Sequence, residues 1–207
     1  MKIDRAGIPF VAGAVGLAVI AALTVGLFGA AVPAILAGFF VFFFRDPERR
    51  SPDGPGVVLA PADGRVLVAG AAAPDVAPAG DWLQISIFLS PLDVHVNRVP
   101  VSGRVTRVGY RPGRFLPAFR HDAARTNERS EVWIDHDGQI VVARQVVGVL
   151  ARRVVCRLQA GRQVRAGDRF GIMKFGSRMD VFLPTSAVLR VSAGDRVRGG
   201  ETVLATL

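Results

Sequence analysis

The chain has 207 residues, a net charge of +9 at pH 7 and a mean hydropathy of +0.35, which is high for a purely soluble protein. This length accommodates one domain of ordinary size and a short additional segment. The single cysteine, Cys156, excludes an internal disulfide and suits a reducing compartment.

The first element is an uncharged apolar run, 6–44, whose 39 residues are nearly twice the about 20 that a helix needs to cross a bilayer core. Gly29 and Pro33 disfavour a continuous helix, so we predict two helices, at about 8–28 and 31–44. The second helix is short for a full pass. A secretory signal peptide is disfavoured, because its apolar core would be shorter and would end in a polar cleavage region rather than in FFVFFFRDPERR.

Basic residues flank both ends of this run: Lys2, Arg5, Arg45, Arg49 and Arg50. Basic flanks remain in the cytoplasm, and an even number of membrane passes satisfies both flanks at once. We therefore expect residues 1–50 to form a membrane-associated helical hairpin with a basic flank. The rest of the chain is then expected at the cytoplasmic face of the cell membrane.

The remaining chain, 51–207, begins with the linker SPDGPG and continues with alternating or short apolar runs such as GRVLVAG, LQISIFL and EVWIDH. These runs predict strands, and no helical period persists through this region. We therefore predict a mainly β fold, in which a body of barrel or sandwich type follows the N-terminal apolar helical hairpin.

Two segments of the body, VRAGDRF at 164–170 and VSAGDRV at 191–197, share one pattern. Each predicts a strand, an Ala-Gly-Asp turn and a second strand. Such repeats occur in domains that carry biotin or lipoate on a lysine at a hairpin tip. No lysine lies at such a tip here, so a carrier domain is disfavoured. Between the repeats, Gly176 and Ser177 lie where a strand meets a loop.

The positive charge comes almost entirely from arginines, which are scattered along the chain with few aromatic residues among them. A strongly basic protein binds nucleic acid or anionic lipid. Together with the apolar N-terminus, this pattern favours an anionic membrane surface as the partner and does not favour nucleic acid.

Polar residues in strongly apolar or glycine-rich surroundings are the candidates for chemistry: Asp63, Asp93, His95, Asn97, Arg98, Asn127, Glu128, Arg129, Ser177, Arg178 and Asp180. Each has a structural explanation when it is taken alone. Asp63 suits a hairpin turn, and His95 suits a buried structural histidine. Glu128 and Arg129 suit an exposed ion pair of small energetic value.

Six separated motifs follow one another along the chain: FFRDPERRSP, LAPADGRV, IFLSPLDVHVNRVP, the NERS block, QVVGVLARRV and FGSRMDVFLP. In this order they closely resemble the short form of the phosphatidylserine decarboxylase family. The resemblance covers nearly the whole body, and the apolar hairpin suits an enzyme that acts on lipids. Several motifs in one order are far more specific than any single motif.

The resemblance implies that the protein itself breaks the bond between Gly176 and Ser177. The Ser177 hydroxyl would attack the Gly176 carbonyl, and β-elimination and hydrolysis would leave a pyruvoyl group, a covalently bound pyruvate, where Ser177 was. The mature enzyme would be a heterodimer of its own two chains, 1–176 (β chain) and 177–207 (α chain).

The same resemblance implies conversion of phosphatidylserine to phosphatidylethanolamine and CO2 by a pyruvoyl-dependent phospholipid carboxy-lyase. Loss of CO2 leaves an electron pair that ordinary side chains cannot accept. A pyruvoyl ketone accepts it after forming a Schiff base with the substrate amine. No metal is implied, and assembly into homo-oligomers is left open.

By resemblance, His95 assists decarboxylation or protonation of the resulting carbanion, and Asp63 belongs to the self-cleavage machinery. Longer family members carry a second histidine where this chain has Arg98, which is cationic at any working pH and cannot be the same base. The base for self-cleavage is therefore open: His95 serves both steps, or Asp63 acts more directly.

Arg98 instead suits a substrate carboxylate or phosphate. Further candidates for substrate binding are Asn127, Glu128 and Arg129.

Two other classes of protein compete with this interpretation. A non-catalytic, membrane-anchored β-barrel binding module would keep Gly176 and Ser177 as an ordinary, uncleaved turn. A serine hydrolase is disfavoured, because FGSRM lacks the second glycine of the Gly-x-Ser-x-Gly elbow.

Overall fold

The computed structural model describes residues 2–120, 122–149, 154–174 and 177–207. The chain divides into two compact units, Met1–Glu48 and Arg49–Leu207. The first unit is mainly helical and the second is built mainly of strands.

The first unit is a helical hairpin formed by α1 (Ile8–Thr24) and α2 (Leu27–Phe43). The ring of Phe10, near the start of α1, lies 5.5 Å from the ring of Phe40 and 5.4 Å from the ring of Phe44, near the end of α2. Because the start of one helix contacts the end of the other, the two helices are antiparallel.

Short strands at the two ends of the hairpin pair with each other. β1 (Lys2–Ile3) is antiparallel to β2 (Arg45–Asp46), and the Asp4 N–H donates to the Phe44 carbonyl at 2.9 Å. Both ends of the apolar run therefore return to the same place, as the predicted hairpin requires.

The break between the helices lies at Gly26, so the predicted break at Gly29 and Pro33 was wrong. Gly26 has a φ of 90°, a left-handed backbone that favours glycine and reverses the chain after α1. Pro33 lies inside α2, where it removes only one hydrogen bond. The helix continues through Pro33, so the positive φ and not the proline decides where the helices separate.

By length and composition, the segment Arg5–Thr24 could cross a membrane (20 residues, mean hydropathy 2.2), and it is the only such helix in the described part of the chain. With 17 residues, α2 is about 25 Å long, against a hydrocarbon core of about 30 Å. The second helix is therefore short for a full pass, as predicted.

The second unit contains the strands β3 to β16 and, among its described residues, one short helix, α3 (Ala123–Thr126). In chain order the strands are β3 (Val57–Leu59), β4 (Gly64–Ala71), β5 (Leu83–Leu89), β6 (Val96–Arg98), β7 (Gly103–Arg111), β8 (Arg129–His136), β9 (Gln139–Val147), β10 (Val154–Cys156), β11 (Gln163–Val164), β12 (Arg169–Met173), β13 (Ser177–Leu183), β14 (Val188–Leu189), β15 (Arg196–Val197) and β16 (Val203–Thr206).

Within the described ranges, the largest sheet has eight strands in the order β11-β7-β8-β9-β13-β5-β4-β15 and curls into a half-barrel. Two smaller sheets have the orders β10-β12-β6 and β14-β16-β3. The predicted mainly β fold with an N-terminal helical hairpin is confirmed.

Strand β13 lies between β9 and β5, and all seven of its residues are buried. Side chains alternate between the two faces of a strand. The inner face, with Ser177, Met179 and Val181, packs on the main hydrophobic core. The outer face carries Arg178, Asp180 and Phe182, the last of which belongs to a second apolar cluster. A strand covered on both sides is a rigid support for a functional residue.

The two Ala-Gly-Asp repeats form the same turn. Asp168 Oδ2 accepts from the Arg165 N–H at 3.0 Å, and Asp195 Oδ2 accepts from the Ser192 N–H at 2.8 Å. The predicted strand–turn–strand pattern is confirmed for the first repeat, which joins β11 to β12. In the second repeat β15 follows the turn, but the preceding strand β14 ends before the repeat begins.

Candidate active site

Ser177 is the first residue of β13, where it pairs with Leu89 on β5 and with Val147 on β9. Its side chain is 0% exposed, and its Oγ has no hydrogen-bond partner among the described residues. Buried hydroxyls nearly always have a partner, so this hydroxyl is a candidate for chemistry. β12 ends at Met173 and Ser177 begins β13, so the predicted strand-to-loop junction at Ser177 was wrong: the residue starts a strand. Gly176, the other half of the predicted cleavage site, lies outside the described residues.

A buried charged cluster lies on the outer face directly after Ser177. Arg178 Nε donates to Asp180 Oδ1 at 2.6 Å, and Arg178 Nη2 donates to Ser86 Oγ at 2.7 Å. Ser86 Oγ in turn donates to Asp180 Oδ1 at 2.6 Å. Charge-assisted bonds of this length are strong. The cluster therefore fixes the strand on the C-terminal side of the predicted cleavage site.

His95 lies directly before β6 and is fully buried. Its Nδ1 is 2.9 Å from the carbonyl oxygen of Asp93. Because a carbonyl only accepts, this bond places the proton of a neutral ring on Nδ1, and the ring then carries its lone pair on Nε2. The Met173 N–H donates to the His95 carbonyl at 3.3 Å, which joins His95 to the strand that leads to Ser177.

Asp63 lies before β4, where both of its carboxylate oxygens are bound. Arg49 Nη2 donates to Oδ2 at 2.7 Å, and the Gly199 N–H donates to Oδ1 at 2.7 Å. Arg49 also pairs with Glu201 at 3.2 Å, and only 7% of the Arg49 side chain is exposed. Asp63 therefore belongs to a shielded ion pair and not to the hairpin turn that its sequence context also suits.

Asp63 and Asp93 line one cavity of about 290 Å³, together with Arg196. Arg196 Nη2 is 3.5 Å from Asp93 Oδ1, and Asp93 Oδ2 accepts from the Ser90 N–H at 2.8 Å. Asp63 and the segment that carries His95 therefore lie at the same cavity.

Arg98 is the last residue of β6, where it pairs with Arg169. Its Nη1 donates to the Gly167 carbonyl at 2.9 Å. It lines a cavity of about 480 Å³ together with Arg49, Arg162 and Arg169, among others. This basic cavity suits a carboxylate or a phosphate, and the role of Arg98 in substrate binding stays a prediction.

Asn127 and Glu128 lie beside β9. The Asn127 amide accepts from the Leu116 N–H at 3.0 Å and donates at 2.8 Å to the carbonyls of both Leu116 and Val147. The Glu128 carbonyl accepts from the Val147 N–H at 3.1 Å. Since Val147 pairs with Ser177, these contacts support the strand beside the predicted cleavage site. The Asn127 amide thereby has a structural role.

Arg129 lies on the outer face of the sheet, because it pairs with Val146, which in turn pairs with Arg178. Its Nε is 3.7 Å from Glu131 Oε1. Burial, followed by the positive charges of Arg144 and Arg111, lowers the pKa of Arg129. The thickness of the sheet separates this guanidinium from the Ser177 hydroxyl.

Gln145 is a candidate that the sequence analysis missed. It pairs with Met179 and therefore faces inward, like Ser177. Gln145 Nε2 donates to Asn97 Oδ1 at 2.7 Å, and both side chains are 0% exposed. Gln145 Oε1 and Asn97 Nδ2 have no partner in the described ranges. In the sequence, Gln145 begins the motif QVVGVLARRV, where a lone amide precedes an apolar pair.

Cys156 lies near these amides, since its neighbour on β10, Val155, has its carbonyl oxygen 3.4 Å from Gln145 Nε2. Burial raises the pKa of Cys156, so the thiol stays neutral at pH 7. The residue packs against the main hydrophobic core, in agreement with a structural role.

The comparisons with known proteins agree with one another. The family model described as Phosphatidylserine decarboxylase matches residues 36–205. The chain is 50% identical over 167 residues to the phosphatidylserine decarboxylase proenzyme of Pelodictyon phaeoclathratiforme, covering 81% of this chain and 78% of that protein. It is 42% identical over 207 residues to the proenzyme of Cupriavidus metallidurans, covering 99% and 95%. The proenzyme of Desulfotalea psychrophila is 38% identical over 205 residues, covering 99% and 96%. The chain has a buried serine in the Gly-Ser motif whose hydroxyl has no partner among the described residues, and its relatives match 81% to 99% of its length, so it belongs to the phosphatidylserine decarboxylase family.

Proposed function

We propose that this chain is a self-cleaving, pyruvoyl-dependent enzyme that converts phosphatidylserine to phosphatidylethanolamine and CO2. The observation that carries the proposal is the fully buried Ser177 hydroxyl, which lacks a hydrogen-bond partner among the described residues. The name proenzyme, which the relatives bear, supports a processing step.

Self-cleavage begins when Ser177 Oγ loses its proton and attacks the carbonyl carbon of Gly176. The amide bond between the two residues breaks as an ester forms, and the freed nitrogen takes up a proton. Loss of the Ser177 α-proton then expels the Gly176 carboxylate and leaves a carbon–carbon double bond at residue 177. Addition of water and departure of ammonia convert residue 177 into the pyruvoyl group.

His95 is the base that we assign to the first step. Its Nδ1 is bound to the Asp93 carbonyl, so the neutral ring carries its lone pair on Nε2. A neutral imidazole suits proton transfer near pH 7. Asp63 acts indirectly. Its bonds from Arg49 and from the Gly199 N–H fix its position in the cavity that Asp93 also lines.

A pyruvoyl group at residue 177 supplies the electron-accepting carbonyl that decarboxylation requires. The chain supplies its surroundings. Leu89 and Val147 flank residue 177 on both sides and exclude water. A dry, apolar environment favours conversion of a charged carboxylate into neutral CO2.

We further propose that the helical hairpin anchors the enzyme at the cytoplasmic face of the cell membrane, where its lipid substrate lies. Large apolar side chains on both helices support this placement, for example Leu23 (82% exposed) and Phe28 (98% exposed). The net charge of +9 supports attraction to an anionic membrane surface.

Release of labelled CO2 from carboxyl-labelled phosphatidylserine, with the purified full-length chain in detergent micelles, tests the proposal. We expect activity from the cleaved wild type and its loss on treatment with hydroxylamine, which reacts with ketones. Ser177→Ala should be inactive, whereas Ser186→Ala, an exposed serine in the same 177–207 segment, should keep full activity. An uncleaved wild-type chain that binds phosphatidylserine but releases no CO2 would favour the binding module instead.

A further inference from the structure

Three polar atoms without a partner lie on the inner side of the sheet. They are Ser177 Oγ, Gln145 Oε1 and Asn97 Nδ2, and none has a hydrogen-bond partner in the described part of the chain. All three side chains are 0% exposed. Since buried polar atoms nearly always find a partner, a group of three indicates that a polar ligand completes the site.

The strand register places the Gln145 amide near residue 177. On β9, Val147 is directly opposite Ser177, and Gln145 is two residues away on the same face. Such diagonal neighbours have Cβ atoms about 7–8 Å apart, within reach of a long side chain. Asn97, on β6, reaches the same place through its 2.7 Å bond from Gln145 Nε2.

The orientation of this amide pair follows from its surroundings. Gln145 Nε2 is also 3.4 Å from the Val155 carbonyl, which can only accept, so the nitrogen and not the oxygen faces that side. Gly171 leaves room for it, because a Cβ there would lie 2.8 Å from Gln145 Nε2 and 2.2 Å from the Val155 oxygen. The pair therefore presents one donor, Asn97 Nδ2, and one acceptor, Gln145 Oε1.

We infer that this amide pair binds the serine headgroup of the substrate, with Asn97 Nδ2 donating to its carboxylate and Gln145 Oε1 accepting from its amine. The inference rests on the proposed function. A headgroup with an amine and a carboxylate on one carbon matches one acceptor next to one donor. A neutral amide also orients the carboxylate without the ion pair that would stabilise the charge lost as CO2 departs.

The two residues then differ in the ligands that they bind. The product, phosphatidylethanolamine, keeps the amine but has no carboxylate. Asn97 therefore contributes to substrate binding and not to product binding, whereas Gln145 contributes to both. The difference favours release of the product after each turnover.

The test uses the full-length chain in mixed micelles, with the apparent KM and kcat for phosphatidylserine and the inhibition constant of phosphatidylethanolamine as readouts. Asn97→Asp keeps the acceptor for Gln145 Nε2 but replaces the Nδ2 donor with a second oxygen. We expect normal cleavage, a KM at least tenfold higher, and an inhibition constant within twofold of wild type. Gln145→Met should weaken substrate and product alike by at least fivefold.

Gln84→Met is the matched control, because Gln84 is also buried but lies on the outer face, opposite Phe182. Its KM should stay at the wild-type value. Wild-type kinetics in Asn97→Asp, or equal weakening of substrate and product in that variant, would overturn the inference. Accumulation of uncleaved Asn97→Asp would overturn it too, by assigning the pair to self-cleavage. A wild type that is itself uncleaved or inactive would instead refute the proposed function.

Discussion

A backbone carbonyl holds Nδ1 of the His95 imidazole. The Asp93 carbonyl fixes the ring through Nδ1, while Asp63 binds Arg49 and the Gly199 N–H. Arg98, at the position of the second histidine of longer family members, donates to the Gly167 carbonyl. This arrangement supports the proposal that His95 transfers the proton and that Asp63 has a supporting role.

We expect self-cleavage to be slowed in both His95→Ala and Asp63→Ala, but to different extents. Loss of a general base lowers a rate by about 10²–10⁴-fold, so His95→Ala should remain almost entirely uncleaved. Asp63→Ala should accumulate uncleaved chain more weakly, because it loosens the Arg49 contact and leaves the imidazole in place. Denaturing gels sampled over time after synthesis measure both rates.

Asp75→Ala serves as the control for this series, because Asp75 forms an exposed ion pair with Arg125 at 3.5 Å. It should be cleaved like the wild type. Normal cleavage together with full decarboxylase activity in His95→Ala would remove that residue from the mechanism.

The candidate site was predictable from sequence only where a motif marks it. Ser177, His95 and Asp63 stand in motifs that resemble the family, and the structure places Ser177 and His95 in the interior. Gln145 also stands in such a motif, QVVGVLARRV, but nothing in that motif marks its side chain as part of the site. Its relation to Ser177 depends on the register of β9 against β13, which joins residues about thirty positions apart and cannot be read from local sequence.

At the scale of elements, β13 suits the proposed chemistry because both of its faces are buried. On its outer face, Arg178 and Asp180 form an ion pair at 2.6 Å, with side chains 5% and 0% exposed. Breaking such a pair leaves an uncompensated charge, whereas replacing both partners with apolar residues removes it.

We therefore expect Arg178→Met to lower the free energy of unfolding by about 3 kcal/mol, which for a chain of this size lowers Tm by roughly 6–12 °C. The double variant Arg178→Met with Asp180→Leu should recover at least half of that loss. The Tm values of the single and double variants are compared by thermal melts in a Ser177→Ala background, where every variant is expected to be a single chain. A double variant less stable than Arg178→Met would contradict this account of the pair.

The helical hairpin shows what a local pattern predicts well and what it does not. The length of the apolar run and its basic flanks predicted two helices that return to one end, and the Phe10 to Phe44 contact agrees with that prediction. The position of the break was wrong, because glycine and proline frequencies do not reveal which residue adopts a positive φ. Gly26 does so, and Pro33 is accommodated inside α2.

The hairpin predicts that both ends of the chain lie in the cytoplasm. Reporter proteins fused before Met1 and after Leu207 should both give cytoplasmic signals, because each end of the apolar run carries basic residues that stay on that side. A periplasmic signal from one end alone would indicate a single crossing and would contradict the hairpin.

At the scale of the whole molecule, the proposed cleavage would divide the chain inside its largest sheet. The segment 177–207 supplies β13 to β16, and β13 pairs with β5 over seven residues and with β9 over six. β15 and β16 add pairs to β4 and β3. The small chain would therefore contribute a central strand, β13, to the largest sheet and would not be a peripheral tail.

We therefore expect the two chains to stay together after cleavage. Native mass spectrometry in detergent should detect them in one particle, and they should separate only under denaturing conditions. Dissociation in mild detergent without denaturant would show that these strand pairs do not hold the cleaved protein together.

The intact mass of the purified protein under denaturing conditions tests the central claim most directly. For the wild type we predict two chains, 1–176 and 177–207, the smaller one lighter by one ammonia than a peptide that begins with serine and blocked at its N-terminus. Ser177→Ala should give one chain of 207 residues, and Ser186→Ala should give the wild-type pair. A wild type that remains a single chain of 207 residues, or cleavage that persists in Ser177→Ala, would contradict the formation of a pyruvoyl group from Ser177.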